Sequence, residues 1–322
     1  MTLYPGRHDP GLLPELLMRA GQLFEVVSGS RTAVITEQGA GLFRVNWDGA
    51  ELLDTVTDDG FGGLGGHGQL LMPWPGRITD GRYEFEGEAY QLPISDVEHH
   101  SAIHGWARWA TWQVTSAAPG RIELSCRLLA VTGYPFPLEL HQSYAWGATG
   151  LEVLLTVQNI GDRPAPFGYG CHPYFSVGSA KVDSDILCVP ANSYVPATQR
   201  LVPTGAVLAV DGQDVDFRKG RQIGDAVLDI TLGDLERDAE GICTVELRSS
   251  TNGMAVRCRY DESINYVQLF TGDTLPFGQR QGLAIEPYTC TPNAFNNGFG
   301  LVALKPGEHK RIGWSIEAVD IP

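Results

Sequence analysis

Apolar and polar residues alternate with a period of two from one end of this chain to the other, and that pattern limits what it can fold into. Phe43, Val45 and Trp47 alternate with Arg44, Asn46 and Asp48. The rhythm returns in Ile122, Leu124, Cys126 and Leu128, in Leu138, Leu140, Gln142, Tyr144 and Trp146, and in Leu151, Val153, Leu155 and Val157. Val245 and Leu247 lead through Asn252-Gly253 to Met254, Val256, Cys258 and Tyr260, and Ile312, Trp314, Ile316 and Ala318 close the chain. Successive side chains of a strand point to opposite faces, so this alternation predicts strands with one buried face. Asp48-Gly49 predicts a two-residue hairpin turn into Ala50-Glu-Leu-Leu53.

Helical periodicity is scarce. Leu12 to Ala20 allows one short helix with Pro14 in its first turn, and Gly224 to Leu232 is too short to assign. The 39 glycines and 20 prolines supply turns for many antiparallel strands, which predicts an all-β fold of two stacked sheets, a large antiparallel β-sandwich. No repeat or linker divides the chain, and the acidic region Asp211 to Glu240 is expected to be a long loop excursion. Residues 1–322 are therefore expected to form a single domain.

A formal net charge of -15 without clustered Lys and Arg argues against a nucleic-acid partner and favours a neutral ligand. No apolar stretch approaches the roughly 18 residues a membrane helix needs, so no membrane partner is expected. Met1-Thr-Leu-Tyr-Pro lacks the basic and apolar regions of a signal peptide. Six cysteines with no C-x-x-C spacing fit reduced thiols and a cytoplasmic location.

Two segments carry chemistry: Gly170-Cys-His-Pro-Tyr-Phe-Ser-Val177 and Ala284-Ile-Glu-Pro-Tyr-Thr-Cys-Thr-Pro-Asn-Ala294. Each sets a proton-transfer group, His172 or Glu286, beside proline and aromatic residues, and such a pair can act as acid and base on one substrate. On residue type alone a buried histidine bonded to backbone is the commoner reading of His172, and a structural carboxylate that of Glu286, since each sits beside a turn-forming proline. Cys171 adjoins His172, yet neighbours in an extended chain face opposite ways, so a nucleophilic Cys-His pair is not expected. His99, His100 and His104 lack zinc-site spacing, and Gly62 to Gly68 lacks the Gly-Lys-Ser/Thr ending of a phosphate loop. His67, His99 and His100 take no role from the sequence.

With Pro75-Gly-Arg-Ile78 and Ile103-His-Gly-Trp106 upstream, the four segments resemble, in order, the signature of the aldose 1-epimerase (galactose mutarotase) family. The resemblance implies a sandwich of galactose mutarotase type, the supersandwich, and a mutarotase that interconverts the anomers of an aldohexose without metal or cofactor. It implies Glu286 as base and His172 as acid, with Arg77, His104 and Asp229 holding sugar hydroxyls. Trp106 stands where the family has a small residue, and its indole can stack on a pyranose or cap the core. Gly76 replaces an asparagine and Ile230 a histidine of the family pattern, so the substrate is not readable, and neither is the oligomeric state. The competing readings are a hexose-6-phosphate mutarotase, which needs an added Arg/Lys cluster, and a noncatalytic sugar-binding protein. A glycoside hydrolase is disfavoured because no second carboxylate motif accompanies Glu286.

Overall fold

The computed structural model describes residues 20–55 and 65–320. The expected helix at Leu12 to Ala20 lies outside the described residues except for Ala20, and so does part of the glycine-rich segment before His67. Among the described residues two large antiparallel sheets form, one of nine strands and one of eight; most of the alternating segments lie in the first, and Phe43, Val45 and Trp47 lie in a separate four-stranded sheet. In the nine-stranded sheet Arg121–Leu128, Leu138–Trp146, Leu151–Asn159, His309–Val319, Ala255–Tyr260 and Cys243–Arg248 lie side by side in that order. Their inward residues, among them Leu140, Tyr144, Val153, Leu155, Ile312 and Ile316, are fully or almost fully buried.

The eight-stranded sheet places Asp229–Leu235, Tyr266–Phe270, Leu283–Tyr288, Gly170–Cys171 and Leu70–Leu71 next to one another. One hydrophobic cluster runs between the two sheets, and each large side chain it buries contributes about 1.5–3 kcal/mol. Trp314 of the first sheet donates through Nε1 to the Tyr169 hydroxyl at 2.8 Å, just before the Gly170 strand of the second. That bond satisfies two buried polar groups that would otherwise oppose burial of their rings.

The hairpin at Asp48-Gly49 forms as the sequence predicts, with Trp47 opposite Ala50 and φ of 52° and 102° at the two turn residues. The region Asp211 to Glu240 corrects the reading as a loop excursion. Its segment Asp229–Leu235 is an interior strand, paired on both sides. The strand is polar because alternate residues, Asp229 and Thr231, face a polar site, while Leu232 is buried in the core. Among the described residues no helix is long and apolar enough to cross a membrane.

Candidate active site

Sheet register builds one wall of the site. Thr231, Gln268 and Glu286 lie directly opposite one another on three adjacent strands, so their side chains share one face. Asp229 and Tyr288 fall on the same face two residues along their strands. The side chains are linked: Thr231 Oγ1 donates to Gln268 Oε1 at 2.5 Å, and Gln268 Nε2 donates to Asp229 Oδ1 at 2.7 Å. Tyr288 donates its hydroxyl to Glu286 Oε2 at 2.7 Å.

A break in the neighbouring strand brings His172 to Glu286. Gly170–Cys171 and Tyr174–Phe175 both pair with Leu283–Tyr288, and His172-Pro173 interrupts them. Pro173 has no N–H for the ladder. His172 instead donates its N–H to the Gln69 carbonyl at 3.0 Å and accepts from Gly68 N at 2.9 Å. Its Nε2 then lies 3.4 Å from Glu286 Oε1. Tyr174 stacks on the imidazole with centroids 4.9 Å apart, and His104 meets it edge-on at 5.7 Å. His67 stacks on the other partner, Tyr174, at 3.9 Å. Cys171 is fully buried, and burial raises its thiol far above the ordinary range, with Glu286 adding to the shift.

Close packing behind the site depends on Gly170. A Cβ there would sit 2.8 Å from Pro75 Cβ and from the Tyr288 ring. Gly170→Ala is therefore expected to cost about 1–3 kcal/mol by overpacking and to push Tyr288 off Glu286. Chemical denaturation checks the cost, and unchanged stability would mean that the ring and Pro75 move aside freely.

Arg77 and His104 enter from the short pair of strands Arg77–Thr79 and Ser101–Ile103. Arg77 donates Nε to Asp96 Oδ2 at 2.7 Å, which fixes the guanidinium while leaving its other N–H groups for a ligand. Gly76 N donates to His104 Nδ1 at 3.0 Å, so in the neutral ring Nε2 carries the hydrogen and is a donor. The missing asparagine at Gly76 also has a steric reason: a Cβ there would lie 2.6 Å from Pro292 Cβ, at a φ of 66°. Pro292 occupies the volume a side chain would need.

Enclosure dominates the electrostatics. Burial pushes Glu286 well above the ordinary carboxylate range, opposed by the Tyr288 bond, reinforced by Asp229 and opposed by Arg77. Burial also pushes His172 far below the usual imidazole value, and His67, Arg108 and Arg77 add to the fall. Burial lowers His104, with Arg108 and His172 contributing. Asp229 is raised by burial against the pull of Arg77 and His99. Low-dielectric surroundings penalise the charged form of each group.

The structure thus brings His172, Glu286, Arg77, His104 and Asp229 into one polar cluster. Trp106 stands apart in its contacts: its half-buried ring packs edge-on against Trp74 at 5.6 Å and Tyr134 at 5.2 Å. His99 bonds Asp96, His100 bonds Asp80 and His104 bonds Gly76, so the three histidines have separate partners. Sequence reading missed Tyr288, Gln268, Thr231 and Arg108. Tyr288 had a signal, since it lies two residues from Glu286 in one strand. Gln268 and Thr231 depend on long-range strand pairing, and Arg108 on a bond from its short turn to Gln69 at 3.1 Å, none of which a local pattern announces.

The aldose 1-epimerase family model matches residues 22–317. The chain belongs to the aldose 1-epimerase family. A similar relative is the uncharacterized protein YihR of Escherichia coli K12, 33% identical over 298 residues that cover 92% of this chain and 93% of that one. Galactose mutarotase of Mus musculus is 23% identical over 256 residues, 72% of each chain. Among solved structures, the GalM/aldose epimerase homologue from C. elegans superposes with a TM-score of 0.81 at 21% identity, covering 93% of this chain and 99% of that one. Galactose 1-epimerase from Lactobacillus acidophilus gives 0.77 at 21% identity, covering 98% of each chain. The sandwich is thus of the galactose mutarotase type that members of the aldose 1-epimerase family share.

Proposed function

We propose that this member of the aldose 1-epimerase family is a mutarotase acting on a free aldohexose. The observation that carries the reading is the 3.4 Å approach of His172 Nε2 to Glu286 Oε1 in an enclosed site. A base and an acid held together at one edge of a pyranose supply what ring opening needs. In the form of the pair that carries its one proton on His172, which burial makes the minor form, Glu286 takes the proton from the C1 hydroxyl as His172 gives one to O5, and the C1–O5 bond breaks to leave an aldehyde. Rotation about C1–C2 presents the other face. The O5 hydroxyl then adds to C1, returning its proton to His172 while Glu286 reprotonates O1. Atoms and charge balance over the cycle, because the pair holds one proton before and after.

Arg77, His104 and Asp229 hold the remaining hydroxyls, with His104 Nε2 as donor and Asp229 chiefly as acceptor. Trp106 is left out of the sugar contacts because its ring packs in the aromatic cluster. The continuous hydrophobic cluster supports a single-domain reading of the chain. A polarimetric screen of freshly dissolved aldoses and their 6-phosphates tests both activity and substrate. Acceleration of a free aldohexose is expected, and acceleration of 6-phosphates alone would replace the substrate assignment.

Tyr288 tunes the base. Tyr288→Phe removes a bond that favours the Glu286 carboxylate, so the alkaline limb of activity is expected to move to higher pH. A bond to a charged group is worth about 1.5–3 kcal/mol, and the rate at neutral pH is expected to fall about tenfold or more. The pH profile of kcat/KM checks this, and an unmoved alkaline limb would detach Tyr288 from the base.

A further inference from the structure

The turn from Asp96 to Ser101 holds a second constellation beside Arg77. Its ends are closed by paired bonds, Asp96 N to Ser101 O and Ser101 N to Asp96 O, both 2.9 Å. Arg200 braces it from outside, donating Nε to the His99 carbonyl at 3.1 Å and Nη2 to the His100 carbonyl at 2.8 Å. Within it the Asp96 carboxylate accepts from Arg77 Nε at 2.7 Å, from His99 Nδ1 at 3.0 Å and from the His99 backbone N–H at 3.2 Å. Burial raises Asp96, yet the Arg77 and His99 bonds outweigh it and leave the carboxyl below its ordinary value.

The two histidines of the turn are used differently. His100 is 67% exposed and bonds Asp80, whereas the His99 side chain is 20% exposed and shares Asp96 with Arg77. A carboxylate only accepts, so Nδ1 of His99 carries a hydrogen and Nε2 is the free ring atom. No protein group among the described residues bonds that Nε2. His99 lies near Asp229, as Arg77 does. Through Asp96, His99 thus adjoins Arg77 on the Asp229 side of the polar cluster.

We propose that His99 contacts the sugar directly, its Nε2 bonding a ring hydroxyl remote from the C1–O5 edge, and that Asp96 is the positioning residue for both His99 and Arg77. The subsite deepens the mutarotase reading and rests on it. Its chemistry calls for a neutral pyranose carrying a free hydroxyl at one of the ring carbons C2 to C4. His99 then discriminates among aldoses by that hydroxyl, a role separate from proton transfer.

The test compares the best aldose of the screen with its 2-, 3- and 4-deoxy analogues, in wild type, His99→Ala, His99→Gln and Asp96→Asn. In wild type one deoxy analogue is expected to lose about 10- to 100-fold in kcat/KM, as loss of a bond to a part-buried polar partner implies. His99→Ala should lose a similar factor on the parent sugar, chiefly in KM, and nothing further on that analogue. His99→Gln should restore part of the loss, and Asp96→Asn should raise KM several-fold with kcat little changed. An equal loss on all four sugars, or no loss on any, overturns the proposal. If wild type exchanges no anomers, the mutarotase reading fails, and NMR titration of the same sugars still decides on His99 through the same pattern in Kd. Absence of any sugar binding overturns both.

Discussion

Glu286→Gln is expected to lower kcat for anomer exchange by about 10²–10⁴-fold, the usual worth of a general acid or base, while leaving sugar binding within a few fold. The amide keeps the shape and can still accept the Tyr288 bond, but it cannot take the C1 proton. Stability should move the other way. Burial raises the folded-state pKa of Glu286 above its unfolded value, so its contribution to stability is present below about pH 4.5 and is lost as pH rises through the folded value. Gln does not titrate. The thermal midpoint of the variant relative to wild type should therefore climb between pH 4 and pH 9. Calorimetry at several pH values and anomer exchange by NMR measure the two effects. A fully active variant removes Glu286 from the chemistry, and a pH-independent difference in midpoint contradicts the burial argument.

The second large effect concerns His172 and the pH profile. Interacting groups titrate as a pair, and exchange needs the form that holds one proton between them. Adding a second proton is opposed by the burial that depresses His172, so the acid limb should lie below about pH 6.5, the ordinary histidine value. Removing the last proton is opposed by the burial that raises Glu286, so the alkaline limb should lie far above about pH 4.5. A broad bell spanning neutral pH is the expected shape. His172→Asn should lose about 10²–10⁴-fold in kcat, because asparagine can hydrogen-bond O5 but cannot protonate it. Its residual activity should follow a single ionisation, that of Glu286. A variant that kept the wild-type rate and both limbs would assign the acid to another group, with His104 and then His67 as the nearest imidazoles.

Six strands of the nine-stranded sheet were legible because each buries one face and exposes the other, so Leu138 to Trp146 and Ile312 to Ala318 carry their structure in local alternation, whereas the short or exposed strands Gln113–Ala118, Ile186–Cys188 and Arg221–Gln222 carry no such pattern. The same logic failed for Asp229–Leu235. That strand lies between a polar site and the core, so its site-facing Asp229 and Thr231 made the segment look like an acidic loop. Four segments pointed to His172, Glu286, Arg77 and His104, and the Asp229 segment added a fifth candidate. Their convergence depends on register: Gln268 is opposite Glu286 only because two strands pair in one alignment. The exclusion of a side chain at Gly76 by Pro292 joins residues more than 200 positions apart. The Asp96 bridge between Arg77 and His99 was hidden for another reason. It spans a turn whose composition resembles any solvated loop, and only the folded distances distinguish it.

Whether the His172–Glu286 pair opens a pyranose is decided by two-dimensional exchange NMR on an aldose already at anomeric equilibrium, run beside its methyl glycoside. For the free sugar, cross-peaks between the α and β anomeric protons that grow with protein concentration are expected. Neither exchange nor methanol release is expected for the glycoside, whose C1 oxygen has no proton for Glu286 to take. Sugar binding without accelerated exchange for any aldose, or cleavage of the glycoside, would contradict that role of the pair.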